Sequence, residues 1–353
     1  MLLRETHLNI PPTFDQTIQP LEFWQQAREK LILDVRSPSE FAQGHIPGAK
    51  NLPLFDDEQR AEIGTIYKNS GKEAAVLRGL KHAGQKMAEL VVQAKSATAG
   101  DNSVLVHCWR GGMRSQSVGW LLQTAGMQPQ VLDGGYKSFR KFARSAFSTK
   151  WNLRVISGLT GAGKTRVLHL LKTSGEQIID LEGLANHRGS AFGGIGQPNQ
   201  PTTEQFENEL FRELDSVDPK IPIWVEDEGN RIGTVVVPNE FHELLRHSRA
   251  VFLDSSPQQR VQNLIVDYGD LALGELEFSI NKIRKRLGPQ HADEAIVAVH
   301  SGRVPRAIEI VLDYYDRTYT KAANSMPRSE MESLPIDGLS DKELVQAIIA
   351  KRE

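Results

Sequence analysis

The sequence predicts two α/β domains in tandem, each built on a parallel sheet, with a helical segment after the second domain. Short apolar runs of strand length alternate with longer stretches of helical periodicity, which is the pattern of parallel sheets covered by helices. The chain has 353 residues, a length that suits two domains. A hydrophobic fraction of 39% and a charged fraction of 24% are typical of soluble globular proteins.

The first domain is predicted over residues 1–136. Residues 31–36 (LILDVR) and 103–107 (SVLVH) have the apolar character of buried strands, and 131–136 (VLDGGY) indicates a strand that ends in a turn. Helical periodicity is present near 73–95 and again from Ser115 onward. The N-terminal MLLRETHLNIPP lacks the apolar core of a signal peptide, and no run is long enough to span a bilayer. We therefore expect a cytoplasmic protein with no membrane partner.

A basic segment follows at residues 137–152, predicted as a helix and linker. Residues 137–154 contain six basic and no acidic side chains, interleaved with aromatic residues. The net charge of the chain is −2, so a nucleic-acid partner requires a local basic surface. Candidate residues for such a surface are Lys137, Arg140, Lys141 and Arg144. The alternative is a connecting helix whose charges are merely solvated.

The second domain is predicted over residues 153–275, and a helical region over 276–353. It opens with the strand LRVIS and the motif Gly158-x-x-x-x-Gly163-Lys164-Thr165, followed by the amphipathic helix RVLHLLK. A motif G-x-x-x-x-G-K-[ST] between a strand and a helix is a phosphate-binding P-loop. The predicted phosphate-binding residues are Gly158, Gly161, Gly163, Lys164 and Thr165. Thr165 also offers a hydroxyl to Mg²⁺.

An acidic partner for the P-loop is expected at the end of a neighbouring strand. The run IPIWVEDE ends in Glu226, Asp227 and Glu228, and we favour Glu226 or Glu228 for this role. Asp180 and Asp254 also end apolar runs and are alternatives. No residue pattern predicts a resident metal centre.

The chain's only cysteine lies in the run V-H-C-W-R-G-G-M-R-S. Cys108 directly follows a strand and Ser115 begins a helix, so the loop between them can present backbone N–H groups to an anion. Arg110 and Arg114 favour the thiolate form and make Cys108 a candidate nucleophile. Ser115 is expected to cap the helix or to hydrogen-bond the sulfur.

Two chemistries use such a loop, and its spacing does not separate them. One is sulfur or selenium transfer through a cysteine adduct. The other is phosphate-ester hydrolysis through a phosphocysteine, because H-C-x-x-x-x-x-R-S also satisfies the cysteine-phosphatase signature.

The residues upstream of the cysteine carry a family resemblance. The stretch LILDVRSPSEFAQGHIPGAKNLPL (31–54) and the segment 132–136 (LDGGY) resemble the rhodanese superfamily, in which Asp34 and Arg36 are expected to make structural ion pairs. The cysteine loop is one residue longer than in most sulfurtransferases of that superfamily and matches the related cell-cycle phosphatases. A rhodanese-like domain before a P-loop domain, with DLEGLANHRGSAFG (180–193) and WVEDEGNRIG (224–233), resembles the tRNA 2-selenouridine synthases.

This resemblance implies an enzyme that acts on the wobble uridine of tRNA. It would geranylate 2-thiouridine with geranyl diphosphate and then replace the geranylated sulfur with selenium from selenophosphate, with Cys108 holding selenium as S-selanylcysteine. The P-loop would take geranyl diphosphate, with a nucleotide or a tRNA phosphate as alternatives. The implied partners are tRNA and a selenophosphate-producing enzyme. No tightly bound cofactor is implied, and Mg²⁺ at the P-loop is an option.

Two other functional hypotheses remain open from the sequence. A cysteine-dependent phosphatase fused to a kinase-like domain fits the same two loops. A non-catalytic module that binds tRNA or a nucleotide, with Cys108 as a redox sensor, fits them as well. Because the chain has no second cysteine, no intramolecular thiol can resolve an adduct on Cys108.

Overall fold

The computed structural model describes residues 16–190, 192–268, 273–325 and 330–351. The N-terminal stretch 1–12, which was interpreted as lacking a signal peptide, lies outside the described residues. The chain forms two compact units, Met1–Ser145 and Ala146–Glu353. The division lies inside the predicted basic segment 137–152, so the first part of that segment belongs to the first unit.

The first unit is a five-stranded parallel sheet with helices. The strands are β1 (Thr17–Ile18), β2 (Leu31–Asp34), β3 (Lys50–Asn51), β4 (Ser103–His107) and β5 (Gln128–Leu132). The helices are α1 (Pro20–Gln26), α2 (Pro38–Gln43), α3 (Asp57–Ala97), α4 (Met113–Thr124) and α5 (Gly135–Ser145). The strand order is β1-β5-β4-β2-β3, and every pairing is parallel. The α/β prediction for this part of the chain is confirmed.

Helix α3 is longer than the sequence predicted. It begins at Asp57, where the Asp56 side chain accepts a hydrogen bond from the Gln59 backbone, and the helical geometry is interrupted at Gly71 (φ 86°). The predicted helix at 73–95 is therefore the second of two segments. A stretch rich in polar residues on both sides of Gly71 gave no clear apolar stripe from which the first segment could be recognised.

Helix α5 has one buried and one basic face. Tyr136, Phe139 and Ala143 are buried, and the Phe139 ring lies 5.7 Å from the ring of Trp24 in α1. Spacings of three and four residues place these side chains on one face. The basic residues of the helix lie on other positions: Lys137, Lys141 and Arg144 are exposed and Arg140 is half-buried. Residues 137–145 thus form the helix of the predicted helix and linker, and this helix packs within the first unit.

The second unit contains another five-stranded parallel sheet. Its strands are β6 (Leu153–Ser157), β7 (Gln177–Ile179), β8 (Ile223–Glu226), β11 (Arg249–Asp254) and β12 (Met331–Pro335), in the order β12-β11-β6-β8-β7. A short antiparallel pair, β9 (Arg231–Ile232) and β10 (Val235–Val236), lies between β8 and β11 in the sequence. All pairings within the five-stranded sheet are parallel.

Helices connect these strands. They are α6 (Lys164–Thr173), α7 (Leu181–Leu184), α8 (Thr203–Asp215), α9 (Asn239–His247), α10 (Pro257–Tyr268), α11 (Leu273–Leu287), α12 (Pro289–His300), α13 (Val304–Ser325) and α14 (Asp341–Ile349). A 3₁₀ turn, Ala146–Ser148, opens the unit. Helices α11 to α13 share an apolar core of their own that includes Ile280, Ala295 and Ile310. No helix in the described part of the chain is long and apolar enough to cross a membrane.

The region predicted as helical over 276–353 also contains a strand. Strand β12 pairs with β11 from Ala250↔Met331 to Asp254↔Pro335 and forms the edge of the sheet. Its residues are mostly exposed, so the sequence carries no buried apolar run at this place. Helix α14 then packs on α6, where Leu344 and Ile348 join Leu168 in the core.

Candidate active sites

Cys108 directly follows β4 and lies beneath the surface of its loop. The residue is 3% exposed, and its Sγ lies 3.2 Å from Oγ of Ser115. Ser115 is buried in the first turn of α4, and its hydroxyl also donates to the carbonyl of Gly112. Helix α4 begins at Met113 with Gly112 as its N-cap, so Ser115 contacts the sulfur and does not cap the helix. The structure therefore places the sulfur beside the N-terminal turn of α4.

The cysteine loop is held by the segment that follows β5. The backbone N–H of Tyr136 donates to the carbonyl of Cys108 at 2.8 Å, and that of Lys137 donates to the carbonyl of Trp109 at 3.0 Å. Gly111 and Gly135 meet where the two segments cross. A Cβ on Gly111 would lie 2.7 Å from the Leu132 carbonyl oxygen, and one on Gly135 would overlap the Gly111 amide. Glycine is required at both positions, because the two backbones touch there.

A buried network of polar groups supports the end of β2 and β4. Arg36 donates to both carboxylate oxygens of Asp34, at 2.6–3.0 Å, and to the carbonyl of Gly44. Its guanidinium also lies 3.9 Å from the ring centre of Tyr136. The structural ion pair predicted for Asp34 and Arg36 is confirmed. Burial lowers the pKa of His107 to about 4, so this imidazole is neutral near pH 7.

The two arginines of the cysteine loop differ in their surroundings. Arg114 donates to Glu40 at 2.6 Å, and it also interacts electrostatically with Cys108. Arg110 is exposed on the loop. Burial opposes ionisation of Glu40, but the Arg114 hydrogen bond and charge outweigh it and hold the pKa of Glu40 below its usual value. Glu40 was not predicted as part of the site, since it lies 74 residues from its partner in sequence.

The P-loop lies between β6 and α6, as the motif predicted. Gly163 precedes the first residue of α6, and the Lys164 ammonium donates to the carbonyl of Gly158 at 3.3 Å. The Thr165 hydroxyl donates to Glu182 Oε2 at 2.7 Å. Glu182 is therefore the carboxylate that contacts Thr165, a role for which the sequence had favoured Glu226 or Glu228.

The two favoured acids lie in one group of carboxylates with Glu182, in which Glu226 is buried and Glu228 is half-buried. Glu226 accepts a hydrogen bond from the backbone N–H of Glu182 at 2.7 Å, and its second oxygen is buried without a hydrogen-bond partner. Burial and the neighbouring charges of Asp180 and Glu182 raise the pKa of Glu226. Burial and Glu182 likewise raise the pKa of Glu228 to about 8, although Lys164 opposes the shift. Asp180 instead caps α7 and contacts His169, and Asp254 is exposed.

Oxygen ligands suited to Mg²⁺ meet at Thr165 and Glu182. Among the described residues, however, no group of three or more His, Cys, Asp or Glu side chains is arranged to hold a metal ion. The involvement of Mg²⁺ stays a prediction.

A narrow apolar slot begins at the P-loop and extends among the helices that follow β11. It has a cavity volume of about 40 Å³ and is lined almost entirely by apolar side chains, including Leu276, Ile280 and Val311. Thr160 of the P-loop forms part of its wall. Arg260 links the P-loop to helix α13, because its guanidinium pairs with Asp316 at 2.7 Å and donates to the Thr160 carbonyl.

A family model matches each half of the chain. The family model described as the tRNA 2-selenouridine synthase AAA domain matches residues 151–333, and the rhodanese-like domain model matches residues 19–142. The chain belongs to the tRNA 2-selenouridine synthase family. Cys108 lies in the segment that matches the rhodanese-like domain model, and Lys164 lies in the segment that matches the AAA domain model.

Curated relatives carry the same family name. A tRNA 2-selenouridine synthase of Nitrosomonas europaea is 40% identical over 67% of this chain and 63% of its own length. The corresponding values for the Bdellovibrio bacteriovorus protein are 43%, 67% and 64%. The match to the Shewanella denitrificans protein is 34% identical and covers 76% of this chain and 78% of that protein. The chain thus spans slightly less than two thirds of the first two relatives.

Proposed function

We propose that this protein is a tRNA-modifying transferase that converts wobble 2-thiouridine to 2-selenouridine. Membership of the tRNA 2-selenouridine synthase family supports the reaction class. The observation that carries the proposal is the contact between Cys108 and Ser115 at the N-terminal turn of α4. The N-terminal turn of α4 favours a bound anion through the helix dipole, and Arg114 adds a positive charge beside it.

In the selenium step, selenophosphate is the donor and Cys108 is the covalent carrier. Water cleaves the P–Se bond and phosphate leaves; an external disulfide takes up the two electrons released as selenide joins the Cys108 sulfur. The selenium end of the adduct then attacks C2 of the geranylated base, geranylthiolate leaves, and external thiols reduce the remaining S–Se bond. Arg110 and Arg114 attract the donor anion, and Ser115 orients the sulfur. With one cysteine in the chain, the selenium passes from Cys108 directly to the substrate or to an external thiol. Selenophosphate would be supplied by a separate enzyme that produces it.

In the geranyl step, the P-loop binds the diphosphate of geranyl diphosphate. The apolar slot beside Thr160 supports this donor over a nucleotide, because a nucleobase needs polar partners that the slot lacks. The slot is narrow, so the helices that line it must move apart for a ten-carbon chain. If Mg²⁺ binds, Thr165 and Glu182 would hold it, and it would supply positive charge for the diphosphate.

The substrate is tRNA, and helix α5 offers it a basic face. Lys137, Arg140, Lys141 and Arg144 recur at intervals of three and four residues, so they share one side of the helix. Contacts from this face to phosphates would add affinity without sequence preference.

Intact-mass measurement after incubation with selenophosphate and an external disulfide as oxidant tests the carrier role. We expect a selenium adduct on the wild-type protein and none on Cys108→Ser, because a serine hydroxyl is a poor carrier at neutral pH. The same variant should still geranylate 2-thiouridine and accumulate the S-geranyl product. Full conversion to 2-selenouridine by Cys108→Ser contradicts the proposal. Cys108-dependent hydrolysis of a phosphate ester without a selenium adduct would instead favour the phosphatase hypothesis.

A further inference from the structure

A second, larger cavity lies in the second unit and plays no part in the function proposed so far. This groove has a volume of about 1080 Å³ and opens to solvent. One wall is a glycine-rich loop that contributes residues 186, 187, 189, 190 and 194–200, and the other is helix α11. Tyr314 and Tyr315 of α13 complete the lining.

The α11 wall of the groove combines an aromatic ring with positive charge. Phe278 is 60% exposed, and the Lys282 ammonium lies 4.6 Å from the centre of its ring. Arg286 follows one turn further along the same exposed face. In the described part of the chain, neither Lys282 nor Arg286 pairs with a carboxylate. Glu275 also lines the groove, which leaves a net positive charge from these side chains.

This exposed face is not needed for the packing of α11. The helix is anchored by its opposite side, where Leu276, Ile280 and Ile283 are buried in the core shared with α12 and α13. The exposed face, with the Phe278 ring beside two cations, is therefore available to contact a ligand.

The groove reaches the P-loop region. Ser190 and Tyr315 line both the groove and the apolar slot. Gly189, also in the groove wall, lies against two acidic side chains: a Cβ there would be 2.5 Å from an oxygen of Glu182 and 2.9 Å from one of Glu228. Gly189 therefore brings the groove wall next to Glu182 and Glu228, and Glu182 is the carboxylate that accepts a hydrogen bond from Thr165.

We propose that this groove binds unpaired nucleotides of the RNA substrate and brings the acceptor base to the P-loop end of the apolar slot. The inference rests on the proposed tRNA-modifying function. Single-stranded RNA is held by stacking of bases on aromatic rings together with cations that contact the backbone, which are the groups that Phe278, Lys282 and Arg286 provide. An acidic peptide would use the two cations but has no group that requires the exposed ring of Phe278.

Binding of an anticodon stem–loop RNA that carries 2-thiouridine at the wobble position tests this inference. Fluorescence anisotropy would compare wild type with Phe278→Ala and with Lys282→Ala/Arg286→Ala. Phe278→Ala should weaken binding by about fivefold or more, the loss expected for one stacked base. The double variant should also lower the slope of log K against log salt by about 0.7 for each lost contact to single-stranded phosphate.

The matched control is Lys172→Ala/Lys285→Ala, which removes the same charge from the same unit outside the groove lining. The control variant should bind the stem–loop with the same affinity as the wild-type protein. A blunt RNA duplex should be bound equally well by the wild-type protein and by every variant. If the groove variants bind and modify the stem–loop as well as the control, the groove inference is wrong although the proposed function stands. If the wild-type protein neither binds nor modifies it, the proposed function fails first.

Discussion

The pKa of Glu228 leads to a prediction about pH. Burial and the neighbouring Glu182 raise the pKa of Glu228 to about 8, so the folded protein keeps a proton on this carboxyl at neutral pH. The unfolded chain releases that proton near the ordinary glutamate value of about 4.3. Between about pH 5 and 8 the folded state therefore binds one proton more than the unfolded state. The free energy of unfolding should fall as the pH rises through this range, by up to about 1.4 kcal/mol per pH unit from Glu228 alone.

Glu228→Gln tests this reasoning, because an amide resembles the protonated carboxyl and does not titrate. The variant should lose up to about 1.4 kcal/mol per pH unit of the wild-type slope, while Glu226, whose pKa is also raised, keeps its own contribution. Native-state hydrogen exchange at the amides of β8 reports the stability of the second unit at each pH. Glu240→Gln makes the same change at an exposed position and is the control.

One outcome would contradict the raised pKa of Glu228. If Glu228→Gln and Glu240→Gln show the same slope as wild type between pH 5 and 8, Glu228 is ionised in the folded protein at neutral pH. The raised pKa of Glu228 also predicts that diphosphate binding weakens above pH 8. The ionised Glu228 then places a negative charge near Lys164, the residue expected to bind the diphosphate.

Three further predictions concern the two sites and the basic helix. Lys164→Ala should lose geranylation, since a charge-assisted contact worth about 1.5–3 kcal/mol is removed. Supplying pre-geranylated tRNA should restore selenation, and failure of that rescue would give the P-loop another role. Replacing Arg140, Lys141 and Arg144 with Ala should weaken tRNA binding and lower its salt slope by about 0.7–0.9 per lost phosphate contact, and an unchanged slope with unchanged affinity would leave α5 without a part in binding. Arg36→Met should destabilise the first unit by about 3–5 kcal/mol, because it leaves a buried carboxylate unpaired; hydrogen exchange at β4 that matches wild type would refute this.

The main strands could be predicted because their side chains are buried. Apolar runs indicated β2, β4, β6, β8 and β11, and the structure contains each of them. The missed strands have no such run. Strands β1, β3, β9 and β10 are two residues long, too short to show a period. Strand β12 is a mostly exposed edge strand, and only its pairing with β11 defines it.

Site residues close together in sequence were easier to predict than their distant partners. Cys108 and Ser115 lie seven residues apart, at the start of one loop and in the first turn of the helix after it, and their contact follows from the spacing of strand and helix. Glu40 and Glu182 were missed as partners of Arg114 and Thr165, because they lie 74 and 17 residues away in sequence and only the fold brings each pair together. No local pattern distinguishes these two glutamates from others. The roles of the predicted site residues in catalysis stay predictions.

The long connection between β11 and β12 has a consequence for how the chain folds. The paired residues Ala250 and Met331 are separated in sequence by helices α10 to α13, so the last pairing of the sheet closes a large loop. Such non-local pairing forms slowly, and until it does, β11 is an open edge that contains Val251 and Leu253. We expect aggregation during refolding to start at this edge. Lower temperature or a chaperone that shields exposed strands should raise the yield of the native protein.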